Sequence, residues 1–211
     1  MQDLSLQYAP MQRSEKGACV ELAVHSFADY EYFTNYFPEE SQRIEFLRRA
    51  IGSEYSTTLG KAHFLCAYHN QKLVAVAQLF HPEYRKPSSF RYLTHGWVRV
   101  LTLPNRDAVN AWMKMDEEAG SYCHSLMHEG KWYLSSLTVD THHKGCGIGT
   151  MMLKEGIRKY VLDHGGTELC LFTNSESNLQ FYQHQGYQLV DEKQFHYNGK
   201  TMGSWSLTKK L

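Results

Sequence analysis

The run Val139-Asp140-Thr141-His142-His143-Lys144-Gly145-Cys146-Gly147-Ile148-Gly149-Thr150 joins an apolar segment, Trp132 to Val139, to a stretch of helical periodicity from about 147 to 162. A strand that passes through closely spaced glycines into a helix has few structural solutions. The glycines leave backbone N–H groups uncovered, and the first helical turn adds donors that have no intrahelical acceptor. Such a turn makes a site for a phosphate or pyrophosphate. Two common phosphate loops do not fit. Glycines at 145, 147 and 149 lack the GxGxxG spacing and sit late in the chain, and no Gly-Lys-Ser/Thr follows.

Around this turn the periodicity predicts a mixed α/β chain. Residues 4 to 9 suit a first strand, and Ser14 to Phe27 a helix with Ser14 as a cap. Aromatics crowd the stretch from Phe27 to Phe37. Glu40 to Tyr55 reads as a helix with Ile44, Leu47 and Ile51 as its apolar stripe. Residues 62–68 and 73–80 read as a hairpin across His69-Asn70-Gln71-Lys72. The segment 81–131 interrupts the pattern as a mainly helical insertion within one domain spanning 1–211. Residues 90–103 are helical there, and Asn105 caps a helix carrying Ala108, Trp112, Met115, Ala119, Tyr122 and Leu126 on one face. Trp132 to Val139 reads as a central strand. Gly156 in the next helix implies close packing, since glycine costs helix stability. Glu168 to Thr173 is a strand, Asn178 to Gln185 a helix ended by Gly186, and residues 190–196 and 204–207 form strands around Asn198-Gly199.

Lys plus Arg and Asp plus Glu both number 22 in 211 residues, which gives no electrostatic reason to bind nucleic acid or an anionic membrane. An apolar leader and a membrane-length run are both absent, and the scattered cysteines (Cys19, Cys66, Cys123, Cys146 and Cys170) suit reduced thiols. A cytoplasmic location is expected. The histidines lack zinc spacing, so no metal is expected.

The stretch from Trp132 to Tyr187 resembles the GCN5-related N-acetyltransferase (GNAT) superfamily. Lys144, Gly145, Cys146, Gly147, Ile148 and Gly149 occupy that family's phosphate signature, with lysine in place of the usual Arg or Gln. Downstream, Thr173 to Asn178, then Phe181-Tyr182 and Gly186-Tyr187, is similar to the family's Asn-then-helix segment with Phe-Tyr. Lys131-Trp132-Tyr133-Leu134 resembles, more loosely, the branch that includes puromycin acetyltransferase.

The resemblance implies a mostly antiparallel twisted sheet, splayed at the cofactor site and flanked by helices, with acetyl-CoA as cofactor. It places the pyrophosphate over His143, Lys144, Gly145, Gly147, Gly149 and Thr150, mainly through backbone N–H groups. The main chain of Leu137, Thr138 and Val139 would receive the pantetheine arm, with an N–H near Leu137 polarising the thioester carbonyl. Tyr182 takes the general-acid position toward the departing CoA thiolate. Asn178 holds the pantetheine, caps the helix, or does both.

The implied activity is acetyl transfer to a small-molecule amine. Transfer to a protein or peptide amine, transfer to a hydroxyl, and a non-catalytic acyl-CoA-binding module are the alternatives. No base is assigned, although Ser135 and Ser136 suit the proton's route, and His124, His128, Glu129 and His95 lie within reach in sequence. The aromatic segment, with Trp97 and Trp112, either borders the acceptor or packs a core. Asp29, Glu31, Glu39 and Glu40 permit a cationic acceptor. A homodimer stays open.

Overall fold

In the computed structural model, which describes residues 4–211, the chain begins with β1 (Gln7–Pro10), α1 (Lys16–Phe27), α2 (Glu31–Thr34) and α3 (Glu40–Thr58). The hairpin of β2 (His63–His69) and β3 (Lys72–Phe80) turns at Asn70 and Gln71, whose φ values of 50° and 65° suit the right-handed twist of paired strands. The segment 81–131 holds α4 (Ser89–Tyr92), α5 (Val98–Leu101) and α6 (Arg106–His128). Then follow β4 (Trp132–Val139), α7 (Ile148–Met151) and α8 (Arg158–Asp163), the two helices being continuous through a wider turn at Met152–Ile157. β5 (Glu168–Thr173), α9 (Glu176–His184), β6 (Gln188–Tyr197) and β7 (Lys200–Lys210) complete the chain.

The strands form one seven-stranded sheet in the order β1-β2-β3-β4-β5-β7-β6. Every neighbouring pair is antiparallel except β4 and β5. The expected mixed α/β fold with a splayed, mostly antiparallel sheet is what the chain adopts. Ile148, Met152 and Ile157 are at most 1% exposed and seat the α7–α8 helix on the sheet. Each such burial stabilises by about 1.5–3 kcal/mol, which fixes where the glycine turn sits.

Several local expectations shift. Ser14 is no cap: a short 3-10 turn at Arg13–Glu15 precedes α1, closed by Gln12 and Glu15, whose carboxylate accepts the Gln12 N–H at 2.8 Å. The apolar stripe of α3 lies over Phe46, Leu47 and Ala50, with Ile44 and Ile51 at its half-buried margins. Asn105 occupies the cap position of α6 but makes no side-chain cap bond, because its amide donates to Gln42. On α6, Ala108, Trp112, Met115, Ala119 and Leu126 are buried as expected, and Tyr122 is half-buried. The last two strands run longer than the sequence suggests.

Gly156 packs as its cost implied. A Cβ there would come within 2.7 Å of Cδ1 of Tyr8 on β1. Gly156→Ala is expected to lose about 1–3 kcal/mol of stability by overpacking. Denaturant unfolding checks this, and an unchanged midpoint would mean that the Tyr8 ring simply turns aside.

A second stability prediction concerns pH. His63 accepts from or donates to the Tyr160 hydroxyl at 2.9 Å, and its ring lies 5.6 Å from His164, 6.5 Å from His81 and 5.0 Å from Trp132. Burial, and then the neighbouring His164 and His81, push its imidazole below the ordinary value. The unfolded chain therefore binds the proton first as pH falls through about 6.5. The stability held above that pH is lost below it. The drop in melting temperature from neutral to mildly acidic pH should be smaller in His63→Gln; parallel profiles would refute this.

Candidate functional site

The sheet opens because β4 is bent. Its register with β3 skips between Gln78↔Ser136 and Leu79↔Leu134, leaving Ser135 as a bulge. On the other side β4 pairs with β5 only at Trp132↔Leu169 and Tyr133↔Cys170. From Leu134 onward the two strands diverge. Asp140 N–H donates to Val74 O at 2.8 Å, which sets the phase of the antiparallel ladder. Alternate residues bond across such a pair, so Thr138 exchanges its bonds with β3, while Leu137 and Val139 turn their N–H and C=O toward the gap. The Thr138 hydroxyl also donates to Val76 O at 3.2 Å. Of the three residues expected to meet the pantetheine arm, Thr138 is thus engaged on the far side.

The glycine turn is exposed at its crest and buried from Ile148 inward. Gly145 and Gly147 both have φ of 81°, and a Cβ on either would meet only open space. The His143 and Lys144 amides are used within the loop, donating to Asp140 O at 2.9 Å and Thr141 O at 3.2 Å. Their side chains, not their N–H groups, are what they can offer a ligand. The first helical bond runs from Met151 N–H to Gly147 O at 3.0 Å. Among the described residues, the amides of Gly145, Gly147, Ile148, Gly149 and Thr150 donate to no backbone carbonyl. Ile148 was not singled out by the sequence because its side chain is apolar; its amide belongs to the set. Asp140 braces the loop, accepting from the His142 amide and facing His142 and His143 Nδ1 at 2.9 and 3.2 Å. Partial burial raises the Asp140 carboxyl, but these partners outweigh it and hold it below the carboxylate range. Free amides above an open glycine crest fit a diphosphate.

α9 reaches back to this turn. A Cβ on Gly149 would lie 3.4 Å from Phe181 Cζ, so the Phe-Tyr pair divides its work. Phe181 packs on the turn. Tyr182 faces a cavity of ≈ 1130 Å³ that begins in the splay. Its ring lies edge-on to Phe181 and Tyr187, and its hydroxyl has no hydrogen-bond partner among the described residues. Burial, then the nearby Tyr30, push the phenol up, so it stays protonated at neutral pH. Asn178 is the third residue of α9, not its cap, and also lines the cavity. Tyr30 ties the aromatic segment to the end of β5, facing Thr173 Oγ1 at 3.0 Å and accepting from the Asn174 amide at 2.7 Å.

The cavity is lined by Ser135, Ser136 and Leu137 and, from the 81–131 segment, by residues that include Tyr84, Tyr92, Trp97 and Trp112. Both readings of the aromatic segment hold, for different residues. Phe27, Tyr30, Tyr32 and Phe33 line the cavity. Phe37 stacks on Phe46 at 4.0 Å and Tyr36 on Tyr197 at 4.5 Å. His124 and His128 line the cavity, and burial lowers the His124 imidazole; His95 and Glu129 lie outside. The acids expected from the aromatic stretch, Asp29, Glu31, Glu39 and Glu40, lie outside as well. Glu54, Asp116 and Glu117 are there instead.

With that geometry in place, the acetyltransferase (GNAT) family matches residues 26–187, and the chain belongs to this family. It is an acyl-CoA N-acyltransferase, and acetyl-CoA is its cofactor. No curated protein matches the chain in sequence. Among solved structures, it is similar to the polyamine N-acetyltransferase of Drosophila melanogaster, which forms N-acetylagmatine, at 15% identity and TM-score 0.56, covering 98% of this chain and 100% of that one. It is also similar to the PaiA N-acetyltransferase of Thermoplasma acidophilum in complex with coenzyme A, at 14% identity and TM-score 0.57, covering 99% and 100%. A third is the C-terminal condensation domain of Ebony with β-alanyl-dopamine, at 10% identity and TM-score 0.66, covering 99% and 100%.

Proposed function

We propose that this chain transfers an acetyl group directly to the nitrogen of a small-molecule amine, with Tyr182 as general acid. The observation that carries the reading is the Tyr182 hydroxyl, without a partner among the described residues, on the wall of the cavity where the strands splay. The free amides of Gly145, Gly147, Ile148, Gly149 and Thr150 would hold the pyrophosphate, with the Lys144 side chain beside them. Leu137 and Val139 would pair with the pantetheine arm, and Asn178 would border it. Bound there, acetyl-CoA supplies a thioester activated for acyl transfer.

The Leu137 N–H then donates to the oxygen on which charge develops, a donor fixed in place by the strand before reaction. The nitrogen–carbon bond forms and the carbon–sulfur bond breaks. Tyr182 would donate a hydrogen bond from its O–H to the leaving sulfur, while the proton lost by nitrogen would leave along the polar wall at Ser135 and Ser136 and neutralise the thiolate. The aromatic residues that the 81–131 segment contributes to the cavity wall favour a small acceptor. The polyamine and agmatine acetyltransferases among the fold neighbours point the same way.

The test is a thiol-release assay across a broad amine panel. Release that needs both acetyl-CoA and an amine supports transfer. Saturable CoA binding with no release on any amine would replace it with a binding module.

A further inference from the structure

Two helices break their own apolar stripes with a carboxylate. Glu54 follows Leu47 and Ala50 at helical spacing on α3, and Asp116 follows Trp112 on α6, so the packing faces carry both inward. Carboxylates held this way are normally paired. Neither forms an ion pair among the described residues. Glu54 accepts from Gln78 Nε2 at 3.3 Å and from the Tyr92 hydroxyl at 2.9 Å; Asp116 accepts from the Tyr32 hydroxyl. Both lie on the cavity wall, with the exposed Lys86 as a nearby cation that acts on each. Burial raises both carboxyls, so a cation in the cavity offsets the cost of their charge. Independently of the acids, Tyr55 is 2% exposed and lines the same cavity, its hydroxyl beside that of Ser136. The indole N–H of Trp112, a residue 9% exposed on the same cavity wall, has no hydrogen-bond partner among the described residues. These groups point to a polar ligand among ring faces.

We infer that the acceptor is a small diamine: one nitrogen is acetylated while the other stays protonated between Glu54 and Asp116. This rests on the transfer reading above. A reacting nitrogen must shed its proton before attack and ends as a neutral amide. A monoamine therefore surrenders the charge that the acid pair reads. The second nitrogen of a diamine keeps its charge throughout, so its attraction to the carboxylates, and to ring faces such as Tyr32 and Trp112, persists into the transition state.

The test uses the full chain with CoA bound. Putrescine, cadaverine and xylylenediamine are each titrated calorimetrically beside the monoamine of the same skeleton, and kcat/KM is measured in parallel by thiol release. At least one diamine should exceed its monoamine in kcat/KM by at least about tenfold, the scale of one charge-assisted hydrogen bond. Glu54→Gln and Asp116→Asn, both isosteric, should each bring that ratio toward one and leave CoA affinity unchanged. Monoamines that turn over with the same kcat/KM as diamines, a preference that survives both substitutions, or a panel in which no amine binds would each overturn the inference. Diamines that bind as expected without thiol release would remove the transfer reading and leave the diamine site standing.

Discussion

Tyr182→Phe is expected to lower kcat by about 10²–10³-fold and to leave acetyl-CoA affinity and thermal stability unchanged. The separation of effects follows from how the residue is held. Its ring packs against Phe181 and Tyr187, and a phenylalanine keeps both contacts. Its hydroxyl bonds nothing among the described residues, so removing it orphans no buried partner there. What is lost is a donor aimed into the splay. Burial makes this phenol reluctant to ionise, whereas an ordinary thiol has a pKa of about 8.5. Outright delivery of its proton to sulfur is therefore uphill throughout the reaction. The O–H works by stabilising charge as it develops on the leaving sulfur, and the proton lost by nitrogen completes the balance. That places the expected effect in the range of a preorganised donor to a developing anion. Stopped-flow or steady-state thiol release at saturating acetyl-CoA measures it. An unchanged kcat would assign Tyr182 to packing, with Phe181.

The parts of the site visible in the sequence were those set by local chemistry. Gly145 and Gly147 do take positive φ, and β5 spans Glu168–Thr173 as its apolar run indicates. Asn70 and Asn198-Gly199 turn their hairpins because those residues tolerate left-handed backbone, and the β2–β3 turn draws Gln71 into the same region. Features set by distant partners were not visible. The bulge at Ser135 depends on pairing with β3, and the placing of β7 between β5 and β6 depends on a choice of edge that no local pattern records. The His143 and Lys144 amides look free in sequence, yet the short turn braced by Asp140 consumes them. Glu54 and Asp116 were legible in principle, as carboxylates on the apolar faces of their helices. Proximity along the chain drew attention to Asp29, Glu31, Glu39 and Glu40, which lie beside the aromatics in order but not in the cavity.

Gly147→Ala is expected to weaken acetyl-CoA binding by about 10–100-fold at small cost to the fold. The left-handed conformation at φ 81° penalises an alanine by about 1–2 kcal/mol. The added methyl meets no protein atom, so there is no clash to add to that strain. Against a domain stability of about 5–15 kcal/mol, the variant still folds. The cofactor sees a different change. The methyl occupies the open space above the crest, and relief of the strain rotates the peptide units whose Gly147 and Ile148 N–H groups are free. Each amide hydrogen bond to a phosphate oxygen is charge-assisted, and losing one accounts for the predicted range. Gly165→Ala separates strain from binding. Gly165 has φ of 78°, its Cβ also meets nothing, and it ends α8 at the far end of the same helix. It should lose similar stability and bind acetyl-CoA as the wild type does. Calorimetric titration of both variants, with melting temperatures alongside, decides the matter: if Gly147→Ala binds as tightly as Gly165→Ala, the diphosphate does not lie on this turn.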